Sequence, residues 1–106
     1  MLESPFRTKL KAEITTLFPD CMIIDTDPSK MQGLPDIIIL NGKSWAALET
    51  KKNKTAKRQP NQPYYVSMMN DMSYAAFVSP ENKEEVLNEL QRSFAIGRVS
   101  RISRPK

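Results

Sequence analysis

The chain contains no histidine and one cysteine, Cys21, which excludes a Cys/His zinc centre and an intramolecular disulfide. A reducing interior is the natural setting for such a sequence. No apolar run approaches the roughly 20 residues that a membrane-spanning helix needs. The N-terminus opens with an acid rather than a basic and then an apolar stretch, so no signal peptide is expected. With 106 residues there is room for one domain with one modest core, and neither an internal repeat nor a low-complexity segment is present. The remaining composition, 40% apolar and 26% charged, is that of an ordinary globular protein, and a cytoplasmic one is expected.

Charge placement says more than the net charge of +4. Residues 51–58 carry Lys51, Lys52, Lys54, Lys57 and Arg58 with no acid, and residues 92–106 carry Arg92, Arg98, Arg101, Arg104 and Lys106, again with none. Those ten cations leave six basic residues against all twelve acids elsewhere, an acidic body bearing two basic segments. That distribution points to a polyanion partner.

Phe6, Leu10, Ile14 and Leu17 recur at helical spacing, so a helix is expected over about 5–18, with Ser4-Pro5 opening it. Cys21–Ile24 reads as a short, largely buried strand, and Asp25–Gln32 as a polar loop. Two apolar strands follow within Gly33–Lys51, joined by Asn41-Gly42. A basic loop then leads to a second helix over 61–72, with Pro63 in its first turn and Tyr65, Met68, Met69 and Met72 at helical offsets. The methionines read as core filling, with a dimer face as the second reading. Tyr74–Val78 is a strand, and a third helix starts at Ser79-Pro80-Glu81 and ends at Gly97. The order is α-β-β-β-α-β-α, with one domain over 1–97 and a basic tail over 98–106.

Side chains alternate along a strand, so Glu49 and Lys51 share a face with Trp45 and Ala47, and Asp36 shares one with Ile38 and Leu40. A two-residue Asn41-Gly42 loop pairs 36 with 47, which makes Asp36 and Glu49 diagonal neighbours about 7–8 Å apart. A four-residue loop places 36 directly opposite 49, whereas an odd-length loop sends Asp36 to the other face. Two converging carboxylates in a histidine-free site favour Mg²⁺ or Mn²⁺ with waters. Lys51 projects alongside, where it could orient a water or stabilise negative charge on a phosphate. Pro-Asp recurs as Pro19-Asp20 and Glu-x-Lys as Glu81-Asn82-Lys83, but both lie at helix ends without a partner strand.

That ordered set, Gly-x-Pro-Asp into an apolar strand, a turn, then an apolar strand ending in Glu-x-Lys, resembles the core motif of the PD-(D/E)xK nuclease superfamily. With the leading helix and the glutamine after the motif, residues 3–65 are similar to its small phage-type VRR-NUC and Holliday-junction-resolvase-like members. The resemblance implies an α/β, restriction-endonuclease-like αβββαβ core, a central mixed sheet flanked by helices. It implies Mg²⁺-dependent endonuclease cleavage of DNA, with Mn²⁺ substituting, in phage recombination or repair and on branched or junction DNA. By position, Asp36 and Glu49 would be metal ligands, the Thr50 carbonyl a further ligand, and Lys51 the catalytic lysine. A helix-1 glutamate, Glu3 or second Glu13, would complete the shell, and Gln62 would face the site. Lys52, Lys54, Lys57 and Arg58 are expected on the DNA backbone, which gives affinity without base specificity. So small a chain is expected to act as a homodimer, with two sites on opposing strands. The other reading is a non-catalytic DNA-binding module that keeps the fold.

Overall fold

A computed structural model describes residues 4–27 and 29–103 of the chain. The elements are α1 (Pro5–Leu17), β1 (Met22–Asp25), β2 (Ile37–Asn41), β3 (Ser44–Thr50), α2 (Gln62–Met72), β4 (Tyr74–Val78) and α3 (Lys83–Ser103). The sheet order is β1-β2-β3-β4, antiparallel across the first two pairings and parallel between β3 and β4. The parallel step requires a crossover, which α2 supplies. This is the mixed, helix-flanked α/β sheet and the element order expected.

Alternation divides the sheet into two faces. Ile37, Ile39, Ala46, Leu48 and Val78 point toward α1 and α3, where Leu10, Ile14, Val86, Leu87, Leu90 and Phe94 complete one buried cluster. Ala47 and Ala75 point the other way and meet Val66 of α2, with Ile38, Trp45, Met69 and Phe77 around them. Fully burying a large aliphatic side chain contributes about 1.5–3 kcal/mol. The large, completely buried aliphatics therefore make the α1/α3 layer the main source of stability. Ser4 caps α1, its Oγ accepting from the Arg7 N–H at 3.2 Å, with Pro5 in the first turn.

Four expectations are corrected. The hairpin loop is Gly42-Lys43, not Asn41-Gly42: Asn41 pairs with Ser44, Leu40 with Trp45 and Ile38 with Ala47. Gly42 has φ +66°, a conformation that glycine adopts without the penalty a Cβ carries, and it takes the first turn position. Asn41 is left in the ladder. β1 is an exposed edge strand rather than a buried one, with Met22 61% and Ile24 40% exposed, because α2 covers only the β3–β4 half of its face. The third helix begins at Lys83, after a Ser79–Asn82 turn in which the Asn82 side chain accepts from the Ser79 N–H. It runs through Gly97 to Ser103, since one glycine costs a helix only about 1 kcal/mol. Finally, the α2 methionines do not act as one core cluster. Met69 packs inward, while Met72 is 66% exposed.

Gly33 ties the loop before β2 to α2. Its φ is +90°, and a Cβ there would lie 2.4 Å from Asn61 Cβ and 2.8 Å from the Asn61 carbonyl carbon. Gly33→Ala must therefore strain its own backbone and displace the start of α2. The expected loss is about 2 kcal/mol or more, read as a lower urea midpoint at unchanged m-value. A midpoint equal to wild type would show that this contact is not needed.

Candidate active site

The hairpin register sets the site. The ladder closes at Ile37 opposite Leu48, so one further step puts Asp36 opposite Glu49, the even register that lets the two carboxylates converge. Asp36 lies in the bend just before β2, and its carboxylate is turned toward the strand end. Its Oδ1 accepts from the Thr50 N–H at 3.0 Å and its Oδ2 from Thr50 Oγ1 at 2.5 Å. Thr50, expected as a carbonyl ligand, is thus also what orients Asp36.

Glu49 is 6% exposed, near the end of β3. Burial, and then the Asp36 charge, push its carboxyl up to about 7, against the lesser opposing pull of Lys51. Gln62 opens α2 and is itself buried, and its Nε2 donates to Glu49 Oε2 at 3.0 Å. The same amide receives Lys51: Nζ donates to Gln62 Oε1 at 2.5 Å and to the Lys57 carbonyl at 3.2 Å, and lies 3.9 Å from Glu49 Oε2. Gln62 therefore links the buried acid to the lysine, because Pro60-Asn61 starts α2 beneath the end of β3.

A cleft of about 640 Å³ opens over Thr50 and Lys51, between Ser4–Phe6 on one side and Lys52, Ala56 and Lys57 on the other. Lys54 and Arg58 lie instead around a small pocket beyond Lys51, with Phe77, Ser79 and Asn82. Basic side chains thus stand on both sides of Lys51.

The two candidates for the helix-1 acid fare differently. Glu3 lies outside the described residues, as do Arg104 and Lys106 of the basic tail. Glu13 does not reach the carboxylate pair. It lines the groove between α1 and α3 and pairs with Lys83 Nζ at 3.0 Å, because its position on α1 faces α3 rather than the end of the hairpin. Among the described residues no three acids, cysteines or histidines gather as a metal cluster. The oxygen groups that come together at the end of the hairpin are the Asp36 and Glu49 carboxylates, with the Thr50 backbone beside them. This set suits Mg²⁺, which takes one or two carboxylates and keeps several waters. Burial first and the Asp36 charge second make an ionised Glu49 costly, and a divalent cation between the two carboxylates would offset that cost.

One neighbour of the site was not legible in the sequence. Arg7 of α1 donates from Nη2 to the Asp36 carbonyl at 3.0 Å and to Asp25 Oδ1 at 2.8 Å, and its Nη1 lies 3.9 Å from Asp36 Oδ2. Lys11, one turn on, also bonds Asp25. The i, i+4 spacing of Arg7 and Lys11 marks one helix face, but only the fold shows that this face meets the loop carrying Asp36.

The chain is a mixed sheet with helices on both faces, with an Asp and a Glu-x-Lys at the end of a hairpin, and its fold has likenesses among solved structures. A VRR_NUC domain protein aligns over 87% of this chain and 90% of its own at 15% identity, with a TM-score of 0.55. Archaeoglobus fulgidus Hjc, a Holliday junction resolvase from an archaeal hyperthermophile, aligns over 73% of this chain and 68% of its own at 19% identity, with a TM-score of 0.49. At 15% identity the likeness to the VRR_NUC domain protein is one of fold. The sequence matches no protein-family model and no curated protein.

Proposed function

We propose that this chain is a Mg²⁺-dependent endodeoxyribonuclease that hydrolyses phosphodiester bonds, with branched or junction DNA as its substrate. The observation that carries the reading is the convergence of Asp36, buried Glu49 and Lys51 at one end of the hairpin, beside a basic cleft. Asp36 and Glu49 would hold the metal, with the Thr50 carbonyl and a Glu3 carboxylate as further ligands. A bound Mg²⁺, or Mn²⁺ in its place, supplies Lewis-acid activation of water and of the scissile phosphate. Thr50 aims Asp36 through two hydrogen bonds. Lys51, fixed by Gln62 and the Lys57 carbonyl, presents a positive charge where negative charge develops on the phosphate. Lys52, Lys54, Lys57 and Arg58 would contact the DNA backbone around it.

Action in phage recombination or repair, in the host cytoplasm or a bacterial one, follows the sequence resemblance. No helix among the described residues is long and apolar enough to cross a membrane. A homodimer would bring two such sites to opposing strands. The exposed Met22, Ile24 and Leu40 on β1–β2 are apolar surface of the kind that subunits cover.

The test compares supercoiled, linear and four-way-junction DNA with Mg²⁺, with EDTA and with Asp36→Ala, alongside sedimentation for mass. EDTA is expected to abolish cleavage and Asp36→Ala to reduce it by about a thousandfold or more. Cleavage that survives loss of either carboxylate would overturn the reading. DNA binding that persists in EDTA, with no cleavage under Mg²⁺ or Mn²⁺, would replace it with a non-catalytic DNA-binding module.

A further inference from the structure

Arg58 does more than extend a basic surface. Its guanidinium carbon lies 3.8 Å from the centroid of the Phe77 ring. Phe77 pairs with Glu49 across the parallel β3–β4 ladder, so this ring stands beside the buried acid. Lys51 Nζ is 5.9 Å from the same centroid. The two ends of the basic loop therefore converge on one aromatic side chain. Between them the loop is held by a few bonds: the Asn53 side chain accepts from the Thr55 N–H and hydroxyl, and the Asn53 carbonyl accepts from the Ala56 N–H.

The position of Lys51 depends on how this loop closes. One acceptor of its ammonium is the carbonyl of Lys57, the residue next to Arg58. The other, Gln62 Oε1, also accepts from the Gln59 N–H at 2.8 Å, on the other side of Arg58. Both flanks of Arg58 thus feed the same ammonium.

We propose that the Arg58–Phe77 stack is a latch that closes the basic loop onto the sheet and so places the acceptors of Lys51 Nζ, making Arg58 a positioning residue for the lysine. The consequence for catalysis rests on the nuclease reading; the latch itself does not. A guanidinium held over a ring can still offer N–H groups to a phosphate, so the two roles of Arg58 are separable only by changing its partner. Phe77 cannot contact phosphate by charge, so a catalytic effect at Phe77 would expose the latch.

The experiment uses Arg58→Ala, Phe77→Leu, Phe77→Trp, the Arg58→Ala/Phe77→Leu pair and, as a phosphate-contact reference, Lys52→Ala. Each is read by limited trypsin cleavage after Lys54, a site that every variant keeps, in the folded protein, and by kcat and KM on DNA with Mg²⁺. Arg58→Ala and Phe77→Leu are each expected to speed loop cleavage and to lower kcat by about three- to tenfold. The pair should be no worse than either alone, Phe77→Trp should keep wild-type behaviour, and Lys52→Ala should raise KM with kcat unchanged. Arg58 is exposed, so its variant reports even if Phe77→Leu folds poorly. Arg58→Ala that raises only KM, with loop cleavage at the wild-type rate, would overturn the latch. If the wild-type protein cuts no DNA, the nuclease reading fails, and the trypsin rates still decide the latch.

Discussion

Glu49→Gln is expected to abolish DNA cleavage, by about a thousandfold or more, while making the metal-free protein more stable than wild type above neutral pH. Both effects have one cause. Burial and the Asp36 charge raise the Glu49 carboxyl from the usual 4.5 to about 7. Between these values the folded chain keeps a proton that the unfolded chain has released. Stability therefore falls as pH rises from about 4.5 to about 7, and levels off above. Holding a proton across one pH unit is worth about 1.4 kcal/mol, so ionising Glu49 in the fold costs up to about 3 kcal/mol. Glutamine keeps the shape and the bond to Gln62 but carries no charge. The attraction of Lys51, 3.9 Å away, is already contained in that raised value, so neutralising the side chain gains up to about 3 kcal/mol above neutral pH.

Urea unfolding in EDTA at about pH 5 and about pH 8 reads this directly. The wild type should be less stable at the higher pH by more than Glu49→Gln is. Mg²⁺ should then favour the wild type, since metal at a hundredfold excess over its Kd adds about 2.7 kcal/mol to a protein that binds it only when folded. A variant without the second carboxylate should gain much less. Equal pH dependence in the two proteins would show that Glu49 is ionised in the fold at no cost, and would remove the electrostatic argument for a cation between it and Asp36.

The hairpin and its acids were legible because local signals agreed: period-two alternation, a glycine turn, and acids at the outer ends of two apolar runs. The turn itself was not. A glycine can serve either position of a two-residue turn, so the sequence allowed Asn41-Gly42 and Gly42-Lys43 alike, and only the ladder, with Asn41 opposite Ser44, shows the register that sets Asp36 opposite Glu49. The same limit explains β1, whose apolar residues predict burial although the sheet order leaves it at an edge. It also explains Glu13, which helical spacing places near the apolar stripe while Lys83, seventy residues away, determines its partner. Arg7 was invisible for a related reason. Its contacts to Asp25 and Asp36 span 18 and 29 residues, beyond any local pattern.

Lys51→Ala is expected to lower kcat by about a hundred- to a thousandfold, with KM changed by no more than about threefold. The environment of the ammonium supports this split. Lys51 does not extend freely into the basic cleft. It is half-buried, held by Gln62 Oε1 at 2.5 Å and the Lys57 carbonyl at 3.2 Å, and lies near Glu49. A lysine fixed in this way loses little further rotamer freedom when charge develops next to it, so its contribution falls on the transition state rather than on ground-state binding. Lys52 and Lys57, exposed at the rim of the same cleft, have the opposite profile, and removing either should weaken binding and flatten its salt dependence. Arginine should not rescue position 51, because a planar guanidinium cannot take the place of a compact ammonium between a side-chain amide and a backbone carbonyl. Gln62→Leu, which removes one acceptor but leaves the lysine, should fall between wild type and Lys51→Ala in kcat. Lys51→Ala with kcat within about threefold of wild type, and a loss confined to KM, would make Lys51 one more phosphate contact and leave the chemistry to the carboxylates alone.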